Sequence, residues 1–374
     1  MKIYEVGGAV RDYLLGIKPH DVDYVVVGAK VEDLLNKGFA KVGKAFPVFL
    51  HPETKAEYAL ARKEIKTGNK HTDFEFDFSP AISLSEDLRR RDFTCNALAK
   101  DIETGEIIDE CGGAEDIKNK LIRHIDSEHF VEDPLRVLRM CRFSAQLNFE
   151  IAPETMLLAK KMVKANMLEN LSAERIREEF FKALQSPDFW RAVKAMEDCG
   201  ALAHLLKNLS NKIKDNTIRR QFYHNLQNAG NLEDIAKFGI LFWSITDDKK
   251  IADDCNKIKM SEKFMRFAQI LCRYGHFLAD KEQVNSDYLF DMLKNIGRLK
   301  DFRPAELLFS ALENLGYNQK KNQEVSKKIM VLCEENRVDK MPDFKNMAKD
   351  KSIAQKYKKF ILEKLKENNQ NICE

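Results

Sequence analysis

Residues 6–16 read VGGAVRDYLLG and residues 20–28 read HDVDYVVVG, and these two segments decide the fold of the chain. Their pattern predicts a strand, a tight glycine turn, a helix and a second strand. Asp21 and Asp23 stand just before the apolar run 25–27 of that second strand. Because alternate residues of a strand share a face, their carboxylates are expected to point the same way. Such a pair can bind hard divalent cations, and two such cations can assist phosphoryl transfer.

The glycines and the arginine between the two predicted strands suit a phosphate group. Gly7 and Gly8 would let the backbone approach a phosphate closely, and the helix that follows would direct its N–H groups toward it. Arg11 on that helix could neutralise triphosphate oxygens, although an arginine beside Asp12 is also typical of a solvated face. Together with the aspartates, these residues predict a metal-dependent nucleotidyltransferase.

Composition limits the class of protein and its partners. The 374 residues are enough for two or three domains, and the 44% hydrophobic and 32% charged fractions are typical of a globular protein. The net charge is only +3, so a nucleic-acid partner would have to be held by local basic patches. We expect no signal peptide, no membrane association and a cytoplasmic location. The eight cysteines and eight histidines lack the spacings of a zinc site.

The pattern of the chain changes near residue 130. Before it we predict strands at IYEVGG, DYVVVG, FPVFL, EYALAR and FEFDF, and helices at VRDYLL, VEDLLNK and SLSEDLRRRDFTCNALA. After it helical patterns dominate, and no internal repeat is present. We therefore predict an α/β (α+β) head at residues 1–130, a helical neck at 131–205 and a helical body and tail at 206–374.

Residues 88–99, LRRRDFTCNALA, add polar groups that could serve a nucleotide. Three arginines in a row usually form a solvated helix face. Here Asp92 and Asn96 follow at a spacing of four, which would put them on one face if the helix continued. Asp92 could accept hydrogen bonds from ribose hydroxyls, and Asn96 could brace the site. Arg91 is the best candidate for the triphosphate, because a guanidinium group matches phosphate in a bidentate way.

Residues 132–143, EDPLRVLRMCRF, predict a helix start, with Asp133 as the N-cap and Pro134 at the first position. Arg136, Arg139 and Arg142 recur every three residues, a stripe that is more often solvated than functional. Asp133 and Arg136 can nevertheless present an acceptor and a fork of donors together. Cytosine and adenine each show an amino donor beside a ring-nitrogen acceptor, so the pair would suit both bases and reject uracil and guanine.

The order of these segments resembles that of bacterial tRNA nucleotidyltransferases, the CCA-adding enzymes of the class related to bacterial poly(A) polymerases. The matching segments within residues 1–185 are VGGAVRDYLLG, HDVDYVVVG, VGKAFPVFLHPETKAEYALARKE, LRRRDFTCNALA, GEIID, GGAEDIKNKLIRHI, EDPLRVLRMCRF and LSAERIREEF. The resemblance implies a polymerase β-like nucleotidyltransferase head followed by an all-helical neck, body and tail.

The resemblance also implies two kinds of site residue. The catalytic and metal-binding residues are Asp21 and Asp23, which would hold Mg²⁺. The nucleotide-binding residues are Gly8, Arg11, Arg91, Asp92, Asp133, Arg136 and Arg139. Among these, Asp133 and Arg136 would form a protein template that pairs with CTP or ATP, Arg139 would contact the nucleotide from the next turn, and Asp92 would meet its ribose.

Three further residues are left open by the motifs. Glu174 and Arg175 fall in a helix that supports the template helix in the family, but a solvated first turn after Ser172 fits them equally well. Glu57 stands where a third superfamily carboxylate would be, and its tie to the metals is open.

Two features depart from the family pattern. The family usually has Asp-Pro-aromatic where this chain has Asp109, Glu110 and Cys111, which leaves the ordering of the flexible loop uncertain. Many relatives also carry an HD phosphohydrolase domain, whereas the only His-Asp dipeptide here is His20-Asp21. We therefore expect no phosphodiesterase, phosphatase or nucleotidase activity.

Together these features predict an enzyme that adds or repairs the 3′-terminal CCA of tRNA from CTP and ATP without a nucleic-acid template, releasing pyrophosphate. The alternatives are a poly(A) polymerase, a partial enzyme that adds only CC or only A, and a non-catalytic tRNA-binding protein with the same fold. The lysine-rich segments 317–328 and 356–368 could grip an RNA backbone, although solubility is the simpler reason for their charge.

Overall fold

A computed structural model describes residues 1–19, 21–42, 47–66, 74–280 and 303–317. The chain forms two compact units, residues 1–183 with 191–204, and residues 184–190 with 205–374. His20 and the lysine-rich segments 318–328 and 356–368 lie outside the described residues. No helix in the described ranges is long and apolar enough to cross a membrane.

The first unit is built on a mixed sheet of seven strands in the described residues, in the order β3-β4-β5-β2-β1-β8-β9. These strands are β1 Lys2–Val6, β2 Asp23–Val27, β3 Ala40–Val42, β4 Val48–Leu50, β5 Glu57–Leu60, β8 Leu98–Asp101 and β9 Ile107–Asp109. Strand β1 pairs antiparallel with both β2 and β8, and β2 pairs parallel with β5. Two small two-stranded sheets join β6 Lys63–Lys66 with β7 Phe74–Asp77, and β10 Leu121–Ile122 with β11 Glu150–Ile151.

Helices alternate with the strands in the first part of the chain and make up most of the described residues after it. Up to residue 205 they are α1 Gly8–Leu14, α2 Val31–Asn36, α3 Leu84–Arg89, α4 Gly113–Lys118, α5 Ser127–Glu132, α6 Leu135–Gln146, α7 Pro153–Lys164, α8 Ala173–Leu184, α9 Phe189–Cys199 and α10 Ala201–Leu205. Beyond it they are α11 Lys207–Lys212, α12 Asn216–Asn228, α13 Asp234–Leu241, α14 Asp248–Lys257, α15 Glu262–Asp280 and α16 Arg303–Asn314. Short 3₁₀ helices lie at Thr94–Asn96, Met167–Asn170 and Ala229–Asn231. The predicted α/β head with a helical remainder is confirmed.

The apolar alternation of β2 explains why the sheet has a core on each face. Val25 belongs to a buried cluster with Val6 and Leu88, whereas Val26 belongs to a second cluster with Phe49. Neighbouring residues of a strand point to opposite faces, so the run 25–27 supplies both clusters. Asp23, at the polar start of the same strand, lies at the end of the sheet beside the glycine turn, because it pairs with Val6.

The helix predicted over SLSEDLRRRDFTCNALA is wrong in its second half. It begins as predicted, with a capping box in which Ser83 accepts from the Glu86 N–H and Glu86 accepts from the Ser83 N–H. Helix α3 ends at Arg89, however, because the following residues are recruited elsewhere: Phe93 bridges to His124, and residues 98–101 join the sheet beside β1. Pairing in the sheet outweighs the local helix propensity.

Candidate active site

A cleft of about 620 Å³ opens where β1 ends and β2 and β5 begin. Eight of the nine predicted site residues line it: Gly8, Arg11, Asp23, Arg91, Asp92, Asp133, Arg136 and Arg139. The exception is Asp21, which lies in an exposed bend before β2 and is not part of the cleft wall. Glu57 and Arg175 also line the cleft.

Strand pairing places two carboxylates side by side at the sheet end. Asp23 is directly opposite Glu57 in the parallel β2–β5 pair, so both side chains leave the sheet on the same face. Enclosure by the cleft raises the pKa of Asp23; the nearby Arg91 guanidinium opposes this shift, and the charge of Asp21 adds to it. Among the described residues, neither the Asp23 nor the Glu57 carboxylate has a hydrogen-bond or ion-pair partner.

The described side chains at the sheet end do not form a complete metal site by themselves, but they could contribute to a divalent-metal site that substrate and water complete. The described residues contain no group of three His, Cys, Asp or Glu side chains close enough to hold a metal. Mg²⁺, however, is usually bound by one or two carboxylates together with substrate phosphates and water. Asp23 could supply one such carboxylate, and the charge of Asp21 is close enough to raise the pKa of Asp23.

The glycine turn brings an arginine against the backbone. Gly7 has φ +74°, and a Cβ atom there would lie 2.9 Å from Nη1 of Arg91. Any other residue would therefore be strained and would displace the guanidinium group. Arg11 on α1 is buried; its Nη1 donates to Oδ1 of Asn96 at 2.7 Å, and its Nη2 donates to Asp12 at 2.7 Å.

The turn after α3 is organised by buried carboxylates. Asp87, which the sequence reading missed, is fully buried and accepts from Arg90 at 2.6 Å and from Arg91 at 3.1 Å. Burial alone would raise the pKa of Asp87, but the two guanidinium groups outweigh it and hold that pKa below its ordinary value. The carboxylate is thus kept ionised, and it ties two consecutive cleft arginines to α3.

Asp92 is bonded on both of its oxygens. Oδ1 accepts from the Phe93 N–H at 2.9 Å and from Asn96 at 3.2 Å, and Oδ2 accepts from Nε of Arg139 at 2.7 Å. Burial favours a higher pKa for Asp92, but the charge and hydrogen bond of Arg139 hold it below its ordinary value. Asn96 therefore braces the site as predicted, although a turn rather than a continuous helix brings the two residues together.

The predicted template pair lies at the start of α6. The Asp133 Oδ1 atom accepts from the Leu135 N–H at 3.1 Å, and its Oδ2 accepts from Arg175 at 2.8 Å. The Arg136 guanidinium donates to the carbonyl oxygen of Arg90 at 2.9 Å and to that of His129. Both side chains are therefore held in place by protein groups, and such preorganisation favours selective recognition.

Comparison with known proteins identifies the family. Residues 3–123 match the model of the poly A polymerase head domain, and residues 148–213 match a model described as the probable RNA- and SrmB-binding site of polymerase A. A multifunctional CCA protein of Vibrio vulnificus is 51% identical over 56% of this chain and 52% of its own length. The chain therefore aligns with about half of that relative. A CCA-adding enzyme of Francisella tularensis subsp. novicida is 38% identical over 80% of each chain.

The chain belongs to the family of CCA-adding enzymes. This confirms the resemblance inferred from the motifs. The fold agrees as well: the Thermotoga maritima CCA-adding enzyme, solved in complex with tRNA, superposes with a TM-score of 0.67 at 22% identity, over 100% of this chain and 90% of that one. Nucleotidyltransferases of this class generally depend on a divalent metal ion.

In this family member, helix α8 supports α6 through residues that the arginine stripe did not reveal. Glu179 is buried and accepts from Nε of Arg142 at 2.6 Å, while Arg139 lies 3.7 Å away. Arg142 is itself buried, so the stripe along α6 is not a solvated face. Arg175 reaches Asp133, whereas Glu174 is exposed. The spacing of four between Arg175 and Glu179 was the available signal, since it puts both on one face of α8.

The departure at residues 109–111 has a local structural role. Asp109 accepts from the N–H groups of Cys111, Gly113 and Ala114 at 2.8–3.2 Å, which satisfies free donors at the start of α4. The segment is therefore ordered by its own aspartate without a proline.

Proposed function

We propose that this protein is a cytoplasmic tRNA nucleotidyltransferase that adds or repairs the 3′-terminal CCA of tRNA from CTP and ATP, releasing pyrophosphate. The observation that carries the proposal is the combination of two features in one cleft. The Asp23 and Glu57 carboxylates lie at the sheet end, and the braced Asp133–Arg136 pair lies at the start of α6. The names of the relatives support it, since they are described as CCA-adding enzymes or multifunctional CCA proteins.

At the sheet end, Asp21 and Asp23 would hold Mg²⁺. When bound, the metal would lower the pKa of the tRNA 3′-hydroxyl and stabilise charge on the triphosphate. Glu57 stands level with Asp23 and would keep the same side of the sheet acidic. Arg11 and Arg91, beside the Gly7–Gly8 turn, would hold the phosphates, because guanidinium groups pair with phosphate oxygens in a bidentate way.

Base choice would come from the start of α6. Asp133 offers carboxylate oxygens to an amino donor, and Arg136 offers N–H groups to a ring nitrogen, so CTP and ATP would be accepted and UTP and GTP rejected. Asp92 would meet the ribose and Arg139 would contact the nucleotide from the next turn of α6. No nucleic-acid template is needed if the protein presents these groups in fixed positions.

The tRNA would be held outside the head. The match of residues 148–213 to a probable RNA-binding region supports an RNA partner for the neck. We retain the division into a head at 1–130, a neck at 131–205 and a body and tail at 206–374 that binds tRNA. Such contacts would recognise the shape and backbone charge of the RNA more than its sequence.

The test is an incorporation assay with purified protein, Mg²⁺, tRNA that lacks its CCA end, and labelled CTP and ATP supplied separately and together. We expect stepwise addition that stops after three nucleotides. Long A tails would identify a poly(A) polymerase, and addition of only CC or only A would identify a partial enzyme. Binding of tRNA with no incorporation under any of these conditions would overturn the proposal in favour of a non-catalytic RNA-binding protein.

A further inference from the structure

Asp87 connects three parts of the head through one buried carboxylate. Its Oδ1 atom accepts from Nε of Arg90 at 3.0 Å and from the backbone N–H of Arg62, just beyond β5, at 3.3 Å. Its Oδ2 atom accepts from Nη2 of Arg91 at 3.1 Å. Arg62, Arg90 and Arg91 all line the cleft, whereas Asp87 itself does not.

The position of Arg91 depends on that link. Its Nη1 lies against the Gly7 backbone and 3.5 Å from the carbonyl oxygen of Asn96. Its charge also acts on Asp23 across the cleft wall. Among the described residues, Asp87 is the ion-pair partner of this guanidinium group, at 3.1 Å, and the buried Nε of Arg91 has no hydrogen-bond partner. A long arginine side chain without such an anchor would sample several rotamers.

We propose that Asp87 is a positioning residue that holds the Arg91 guanidinium in place for the triphosphate of the incoming nucleotide. This inference rests on the proposed function, because it assigns the phosphate group to that substrate. Asp87 does not touch the nucleotide; it acts through Arg91. Its removal should therefore weaken nucleotide binding and leave the chemical step nearly intact.

The first test is steady-state kinetics of Asp87→Asn with tRNA lacking CCA and varied CTP or ATP. We expect KM for both nucleotides to rise roughly 10- to 100-fold, as for the loss of charged hydrogen bonds, with kcat changed less than about threefold. Asp254→Asn is the matched control. It removes another buried carboxylate, which accepts from Asn208 and Leu209 in the helical unit, and it should leave nucleotide KM unchanged.

A double-mutant cycle separates positioning from a general loss of structure. If Asp87 acts through Arg91, Asp87→Asn should have almost no further effect on kcat/KM in an Arg91→Gln background. Equal effects of Asp87→Asn in both backgrounds would overturn the proposal. So would an effect that disappears only in an Arg90→Gln background, because Arg90 would then be the residue that transmits it.

A second variant covers the case in which Asp87→Asn does not fold. Asp87→Asn/Arg90→Gln leaves one unbalanced guanidinium group instead of two and keeps Arg91. We expect it to show the same rise in nucleotide KM. If either variant folds and its nucleotide KM equals that of the wild-type protein, the positioning role of Asp87 is overturned. The proposed function is not affected by that result, because it depends on CCA addition by the wild-type protein. Absence of incorporation by the wild-type protein would instead overturn the proposed function, and equilibrium binding of CTP to Asp87→Asn would still report on Arg91.

Discussion

The acidic side chains around the cleft fall into two groups that differ in what neutralises their charge. At the sheet end, Asp23 and Glu57 have no ion-pair partner in the part of the chain that the structure describes, and the pKa of Asp23 is raised, mainly by enclosure. At the arginine turn and the neck, Asp87, Asp92 and Glu179 each accept hydrogen bonds from one or two arginines. Arginine partners hold the pKa of Asp87 and Asp92 low despite their burial.

The difference separates carboxylates that have an arginine partner from carboxylates that have none among the described residues. A carboxylate committed to an arginine cannot readily bind a metal, and it instead fixes the position of the guanidinium group. A carboxylate without such a partner remains available to a metal ion. The predictions below test each side of this comparison.

The largest effect is expected from Asp23→Asn at the sheet end. If Asp23 holds the metal as proposed, this variant should reduce incorporation at least about 1,000-fold, because metal-assisted charge stabilisation contributes several kcal/mol to the transition state. The measurement is single-turnover addition of CTP to tRNA lacking CCA. Glu53→Gln, at an exposed turn residue, is the control.

Asp21→Ala sharpens the same point because Asp21 is not on the cleft wall. It should also abolish incorporation if both aspartates hold the metal. A near-normal rate in either aspartate variant would remove that residue from the metal assignment.

On the neck side, Arg142→Met should destabilise the protein by about 3 kcal/mol, because it removes the hydrogen-bonded cation of the buried Glu179 and leaves only Arg139, which lies 3.7 Å away. Urea denaturation followed by circular dichroism measures the change. Arg142→Met/Glu179→Gln is the matched control, since it removes both charges and should recover part of the loss. A cost below about 1 kcal/mol for the single variant would show that the pair is not needed for stability.

The carboxylates at the sheet end and the carboxylates with arginine partners could not be predicted equally well from the sequence. The sheet end could be predicted in part because its residues are local: the glycine pair, the aspartates and the apolar run lie within 6–28. The expectation that Asp21 and Asp23 share a strand face was wrong, because β2 begins at Asp23 and the residue opposite Asp23 is Glu57 on β5. The start of α6 was also predicted to within a residue or two, because proline and aspartate at a helix start have strong local preferences.

The arginine partners of Asp92 and Glu179 could not be predicted because they are distant in sequence, whereas those of Asp87 are three and four residues away. Arg139 meets Asp92 across 47 positions, and Arg142 meets Glu179 across 37. The helix expected through Asp92 and Asn96 failed for the same reason, since its last residues pair with β1 in the sheet. Long-range strand pairing and buried ion pairs leave little trace in local periodicity.

The proposed template pair, Asp133 and Arg136, shares features of both groups, because its side chains have protein partners and also line the cleft. Asp133→Ala and Arg136→Ala should each lower the preference for CTP and ATP over UTP and GTP by roughly 10- to 100-fold, while the fold is retained. Competition between nucleotides in the incorporation assay measures the ratio. Arg89→Ala, whose side chain is 60% exposed, is the arginine control. Continued exclusion of UTP and GTP by both template variants would contradict the protein-template role.

The smallest effect concerns the ion pair between Asp92 and Arg139 and its contribution to stability at low pH. The pKa of Asp92 is lower in the folded protein than its ordinary value of 3.8, so the folded state loses this proton at a lower pH than the unfolded chain does. The stability that ionised Asp92 contributes is therefore fully present above the unfolded pKa and is lost as pH falls through the folded pKa. The free-energy difference between wild type and Asp92→Asn should shrink as pH drops below about 4.

Asp254→Asn provides the opposite sign in the same measurement. Burial raises the pKa of Asp254, so its ionised form lowers stability at neutral pH and that penalty disappears on acidification. Unfolding curves for the three proteins between neutral pH and pH 3 should therefore give pH-dependent differences that run in opposite directions. A difference for Asp92→Asn that stays constant with pH would mean that Arg139 does not hold Asp92 ionised. In that case the distinction between carboxylates with and without arginine partners would rest on geometry alone.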